Sequence, residues 1–131
     1  MNGIVDILAR LIRETSSSLP DDVEKALKKA LKKEKRGSSA AVVLSTILEN
    51  CALARRDGTP LCQDTGTLTF FVDMRLRRKV TVAALKKAVA LATENGWLRK
   101  NTIDSVSGRS CDDNCAEGAP VGQTHIPLGL E

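Results

Sequence analysis

The sequence contains no tyrosine, and its aromatic side chains are limited to Phe70, Phe71 and Trp97. A core built around stacked rings is therefore excluded. The interior has to be filled by leucine, valine, isoleucine and alanine, and such small aliphatic side chains favour closely packed helices.

Long apolar segments are also lacking. The most apolar stretch, residues 68–74, is interrupted by Thr69 and Asp73 and falls short of the roughly 20 residues that span a bilayer. Residues 4–8 are too short for a secretory signal, and no basic segment precedes them. The sequence therefore predicts no membrane segment and a cytoplasmic location.

Histidine occurs once, as His125, alongside four cysteines at positions 51, 62, 111 and 115. Without a secretory signal, these cysteines are expected to be reduced thiols used for metal binding or packing rather than two disulfides. Cys111 and Cys115 could join His125 at a metal, but an ordinary zinc site has a second close pair of ligands. A small Cys/His metal-binding protein is therefore an alternative interpretation.

The chain of 131 residues, with 42% apolar and 27% charged residues, predicts a single domain over residues 1–131. Its net charge of +4 comes largely from the basic residues of segment 25–36. A nucleic-acid-binding arm would be basic in this way. However, Leu27, Ala30 and Leu31 keep helical spacing there and no aromatic residue interleaves, so we favour a solvated helix face and no nucleic-acid partner.

The apolar spacing predicts three helices before the first loop of interest. The first carries a stripe of apolar residues that ends near Ser16, the second runs from Pro20 to Gly37, and the third starts at Ser38 or Ser39 and reaches about Ala54. The stripe of the first helix consists of Ile4, Ile7, Leu8, Leu11 and Ile12. The third helix is expected to bury Val43, Leu44, Ile47, Leu48 and Cys51.

The second half of the chain predicts a mixture of strand and helix. Residues 67–74 are rich in β-branched and aromatic residues, which is typical of a strand. Thr81 is expected to cap a helix over residues 82–94. A long loop over 101–118 and a strand within 120–128 complete an α+β fold that is predominantly helical.

Residues 60–66 read Pro-Leu-Cys-Gln-Asp-Thr-Gly, which places a thiol, an amide and a carboxylate in a turn just before a strand. By itself, a cysteine near a carboxylate is more often a packed thiol than a ligand. The motif, with the strand at 70–72 and Leu-Arg-Lys-Asn at 98–101, is similar to the signature of the class I iron–sulfur fumarases and the tartrate dehydratase α subunit. This resemblance extends along most of the chain.

In that family three cysteines hold a [4Fe–4S] cluster, and one iron remains open to substrate oxygens. The resemblance implies that Cys62 is the first cluster ligand, that Gln63 and Asp64 bind substrate, and that Arg99 grips a substrate carboxylate. Asp64 would also be catalytic, either orienting a histidine or taking part in proton transfer. Taken alone, Gln63 and Asp64 could instead cap the turn, and Arg99 could be a surface charge.

The implied reaction adds water to fumarate or a similar acid, or removes it from a 2-hydroxy dicarboxylate such as malate or tartrate. Two departures from the family pattern stand out. The family loop Asn-Thr-Gly-x-Asn-Thr is Ser-Cys-Asp-Asp-Asn-Cys at 110–115, so only Asn114 is retained, and the sequence stops at Glu131, before two further family cysteines.

We therefore expect an incomplete catalyst that acts with a C-terminal α region and a β-type domain or subunit, in a homo- or hetero-oligomer. A second alternative is a non-catalytic interaction module that keeps the family fold. Its basic segment 25–36 would then meet an acidic partner.

Overall fold

The computed structural model describes residues 3–63, 68–100, 108 and 114, and the backbone of a strand at 122–126. Its elements in chain order are α1 (Ile4–Ser17), α2 (Asp21–Lys33), α3 (Ser39–Asp57), β1 (Thr69–Asp73), a short 3₁₀ helix (Met74–Leu76), α4 (Val82–Glu94) and β2 (Gly122–Ile126). The predicted α+β fold, predominantly helical, is confirmed. Within the described part of the chain, no helix is both long and apolar enough to cross a bilayer.

The core lies where α4 packs against α1, and buried side chains of β1 belong to the same apolar cluster. Thr81 begins α4 as predicted, since its hydroxyl oxygen accepts a hydrogen bond from the Ala84 N–H. Leu85 and Val89 are the largest fully buried side chains, and small buried residues beside them on α4 let the neighbouring elements approach closely. These small residues are Ala84, Ala88 and Ala92.

The apolar stripe predicted for α1 was too wide. Leu8 and Ile12 are buried, whereas Ile7 and Leu11 are each 54% exposed. Ala9 is buried in their place, because α1 turns a narrower face with a small residue at its centre toward the core. The spacing of apolar residues alone cannot show whether the face with Ile7 and Leu11 or the face with Ala9 turns toward the core.

The strand prediction is confirmed with shorter bounds. β1 pairs with β2 in parallel, with Phe70 opposite Gln123. Its side chains alternate as a strand with one covered face requires, because Phe70 and Val72 are buried while Phe71 is 69% exposed. Of the predicted loop 101–118, only residues 108 and 114 are described.

Helices α2 and α3 form a hairpin that contacts the rest of the molecule sparingly. α2 ends at Lys33, short of the predicted Gly37, and Gly37 adopts a positive φ of 80° in the turn that leads to α3. Ser38 caps α3 by accepting a hydrogen bond from the Ala41 N–H. α3 continues to Asp57, beyond the predicted end at Ala54.

The faces of this hairpin differ from the prediction in one respect. The basic side chains of α2 are exposed and Leu27, Ala30 and Leu31 are half-buried, as expected for a solvated helix face. On α3, however, Val43 and Ile47 are exposed rather than buried. Apolar spacing indicates a helix face that another segment could cover. No segment among the described residues covers Val43 and Ile47 on α3.

An ion-pair cluster centred on Glu24 joins the two helices of the hairpin. The carboxylate accepts hydrogen bonds from Lys28 Nζ at 2.5 Å and from Arg55 Nη2 of α3 at 2.6 Å. These two cations, Lys28 first, lower the pKa of the Glu24 carboxyl from its usual 4.5 to about 2. Folding therefore favours the ionised form of the Glu24 carboxyl group.

We expect Glu24→Gln to lower stability at neutral pH by a modest amount, as is usual for exposed ion pairs. Because folding lowers the pKa of Glu24, its contribution is present above the unfolded pKa and lost as the pH falls through the folded one. The stability difference from wild type should therefore shrink between pH 4.5 and about 2. Urea unfolding followed by circular dichroism over that range measures it.

The matched control is Asp22→Asn, which removes a carboxylate from the same helical turn. Asp22 forms no ion pair with another described residue. A pH dependence for Glu24→Gln that equals that of Asp22→Asn would contradict the role of the cluster.

Candidate functional site

The turn that leads to Cys62 begins where α3 ends. Gly58 adopts a φ of 68°, which a residue with a side chain rarely tolerates, and its N–H caps α3 by donating to the Ala54 carbonyl. The Arg13 side chain of α1 lies directly against it, since a Cβ atom at Gly58 would be 2.5 Å from Arg13 Nε. The glycine therefore allows both the sharp turn and the close approach of α1.

Leu61, the residue before Cys62, forms hydrogen bonds through both its N–H group and its carbonyl group. The Leu61 N–H donates to the Ser16 carbonyl of α1 at 2.9 Å. The Leu61 carbonyl accepts a hydrogen bond from Asn50 Nδ2 of α3, also at 2.9 Å. Pro60 is buried beside them, so the backbone that delivers Cys62 is fixed to two helices.

The two residues that follow Leu61 lie at the surface. Cys62 and Gln63 are both exposed, whereas Cys51, in the middle of α3, is only 4% exposed. A thiolate can bind a metal only if its sulfur is accessible, so Cys62 is the better candidate of these two. Asp64 lies outside the described residues.

Arg99 lies on a second segment, just after α4. Gly96, with a φ of 73°, ends the helix, and the buried side chain of Leu98 anchors the chain there. The Arg99 carbonyl accepts a hydrogen bond from Asn114 Nδ2 at 2.7 Å, and the same amide group lies 2.9 Å from Thr93 Oγ1. The Arg99 backbone is thus held in place, while the residue as a whole is exposed.

Asn114 is the one position retained from the expected loop at 110–115. It has a φ of 56°, a conformation that asparagine tolerates better than most residues. The structure brings it to the Arg99 segment, a contact that the sequence did not predict. Cys111 and Cys115 lie outside the described residues.

The described residues can provide one ligand for a metal cluster. Among them, no three histidine, cysteine, aspartate or glutamate side chains come together as a metal site. An exposed thiol on a fixed turn matches what an iron–sulfur cluster requires of a single ligand. Cys62 fits that role, and the remaining ligands would come from elsewhere.

The turn was predicted from the sequence, but the residues that hold it were not. Ser16 and Asn50 are distant in sequence from the motif, and neither belongs to a recognisable pattern. Ser16 holds Leu61 through its backbone carbonyl at the end of α1, and Asn50 holds it through its side chain in the middle of α3. The sequence alone does not reveal that either residue faces this turn.

The chain is similar to proteins of one known family. A family model described as "Fumarate hydratase (Fumerase)" matches residues 5–127. The chain is 41% identical over 126 residues to "Putative fumarate hydratase class I" of Geobacillus stearothermophilus, a match that covers 92% of this chain and 24% of the relative. It is 31% identical over 123 residues to L(+)-tartrate dehydratase subunit alpha of Escherichia coli K12, covering 92% of this chain and 40% of that subunit.

Proposed function

This chain belongs to the fumarate hydratase (Fumerase) family, and from that premise we propose that it forms the amino-terminal part of a [4Fe–4S]-dependent hydro-lyase. The proposed substrate is a small dicarboxylate, because the relatives are named for fumarate and for L(+)-tartrate. The chain spans 24% of the length of the first relative and 40% of the length of the second. Turnover would therefore need a C-terminal α region and a β-type domain or subunit, in a homo- or hetero-oligomer.

The placement of Cys62 is the observation that carries this proposal. Its side chain is exposed on a turn whose preceding peptide is bound to two helices. A cluster ligand needs both an accessible sulfur and a fixed backbone. Cys62 would be one of three cluster ligands, and the cytoplasm, where we place the protein, would keep it reduced. When bound, the cluster supplies a Lewis acid for the substrate hydroxyl.

The neighbouring side chains would bind and orient the dicarboxylate. Arg99 is an exposed residue, and its guanidinium group can donate two parallel hydrogen bonds to one carboxylate. The Gln63 amide can donate to the second carboxylate or to the hydroxyl. Asp64, carried over from the family motif, would orient the base that removes the carbon-bound proton or move that proton itself.

A chimaera tests the proposal. This chain would replace its matching region in the Geobacillus relative, and the product would be reconstituted anaerobically with iron and sulfide. We expect it to hydrate fumarate or to dehydrate malate or tartrate, measured by the ultraviolet absorbance of the unsaturated acid. If the unmodified relative is active and the chimaera folds without any of these activities, the proposal is wrong.

Within that chimaera, Arg99→Lys should raise KM for the dicarboxylate about tenfold, because a lysine ammonium cannot reproduce the planar two-bond contact. Steady-state kinetics at varied substrate concentration measures the change. Lys100→Ala is the control, since it removes the exposed cation next in sequence and should leave KM unchanged. Equal KM values for wild type and Arg99→Lys would remove Arg99 from the binding site.

A further inference from the structure

One turn near the end of α1 contacts both segments of the candidate site. The Ser16 carbonyl accepts the hydrogen bond from the Leu61 N–H, in the residue before Cys62. The Ser16 hydroxyl donates to the Trp97 carbonyl at 2.8 Å, two residues before Arg99. A single residue thus binds two segments that are far apart in sequence.

Arg13 makes the same connection through its side chain. Its guanidinium carbon lies 5.5 Å from the centre of the Trp97 ring, within the range of a cation–π contact. The same side chain lies against Gly58, at the start of the turn that delivers Cys62. Arg13 and Ser16 are three residues apart, so they share one face of α1.

The contact of Ser16 with Trp97 is unusual for a serine at a helix end. Its hydroxyl also lies 3.1 Å from the Arg13 carbonyl, the partner that a helical serine ordinarily takes. The bond to Trp97 is shorter, at 2.8 Å, and half-buried. The neighbouring Thr15 instead donates only within α1, to the Leu11 carbonyl.

We propose that Ser16 is a positioning residue that sets the distance between Cys62 and Arg99. The inference rests on the proposed function, because that function assigns both segments to one site. Displacing a reacting group by 1 Å can slow an enzyme by roughly a hundredfold. A side chain that joins the cluster-ligand segment to the carboxylate-binding segment would therefore matter for catalysis without touching substrate.

The test measures the distance between the two segments in the chain itself, without cofactor or substrate. Cys51, Cys111 and Cys115 are replaced by alanine or serine, and spin labels are placed on Cys62 and on Lys100→Cys, both exposed positions. Double electron–electron resonance then gives the distribution of distances. We expect a narrow distribution that broadens in Ser16→Ala.

Two further variants separate positioning from a general effect on the helix. Ser16→Thr keeps a hydroxyl donor and should restore the narrow distribution, whereas Thr15→Ala removes a hydroxyl from the same turn and should leave the distribution unchanged. An unchanged distribution in Ser16→Ala would overturn the proposal. Equal broadening in Thr15→Ala would overturn it as well, because fraying of α1 would then be the cause.

This result is independent of whether the proposed function holds. A chimaera without hydro-lyase activity would leave the measured distances and the role of Ser16 in setting them intact. Conversely, an active chimaera combined with an unaltered distance distribution would refute the positioning role alone.

Discussion

Cys62→Ala should abolish dicarboxylate hydration by the reconstituted chimaera, with a loss greater than about 100-fold. Residues that merely orient metal ligands typically cost 10–100-fold when mutated, so removal of a ligand itself should exceed that range. The same variant should bind less iron and sulfide and lose visible absorbance from the cluster. Rate, metal content and spectrum are measured on one anaerobic preparation.

Cys51→Ala is the matched control for this prediction. It removes a thiol that is 4% exposed inside α3, so it should retain the cluster spectrum and most of the activity. Its expected cost is a loss of packing, read as reduced stability. If Cys62→Ala retained activity, or if both variants lost the cluster equally, Cys62 would not be the ligand that we propose.

Leu85→Ala should destabilise the chain by roughly 3 kcal/mol, within the range measured for leucine-to-alanine changes in protein cores. Leu85 has no exposed surface and lies in the first turn of α4, within the core cluster to which α1, β1 and α4 all contribute. Truncation would remove buried apolar surface and leave a cavity that fixed helices can fill only in part. Urea unfolding followed by circular dichroism gives the difference in free energy of unfolding.

Val82→Ala is the control for Leu85, because it lies on the same helix and is 46% exposed. It should change stability by no more than about 0.5 kcal/mol. A similar loss in the two variants would show that α4 is not the centre of the core. The comparison therefore tests the packing of α4 against α1 directly.

The helices and the first strand were largely predictable from sequence, since local signals define them. Thr81 and Ser38 cap helices through their own side chains, and the aromatic and β-branched residues Phe70, Phe71 and Val72 are typical of a strand. Less predictable were helix ends and rotations, such as the end of α2 at Lys33. The rotation of a helix depends on which neighbouring segment packs against it, and the spacing of apolar residues does not contain that information.

The candidate site also combines features that the sequence predicts with features that only the fold reveals. The residue types in the turn at 60–66 and their resemblance to one family come from the sequence, and the family comparison confirms the resemblance. The roles of Cys62, Gln63, Asp64 and Arg99 remain predictions. The burial of Cys51 was expected from its place on the apolar face of α3, whereas the exposure of Cys62 became known only from the fold.

By itself, the sequence determined the secondary structure, the family and the identity of the candidate ligand, because caps, periodicity and a contiguous motif act over a few residues. Only the tertiary structure decided how the motif is held. Ser16 binds Leu61 and Trp97, and Asn114 binds the Arg99 carbonyl. Such hydrogen bonds join residues far apart in the chain, so they exist only after helices have packed and brought donors to acceptors.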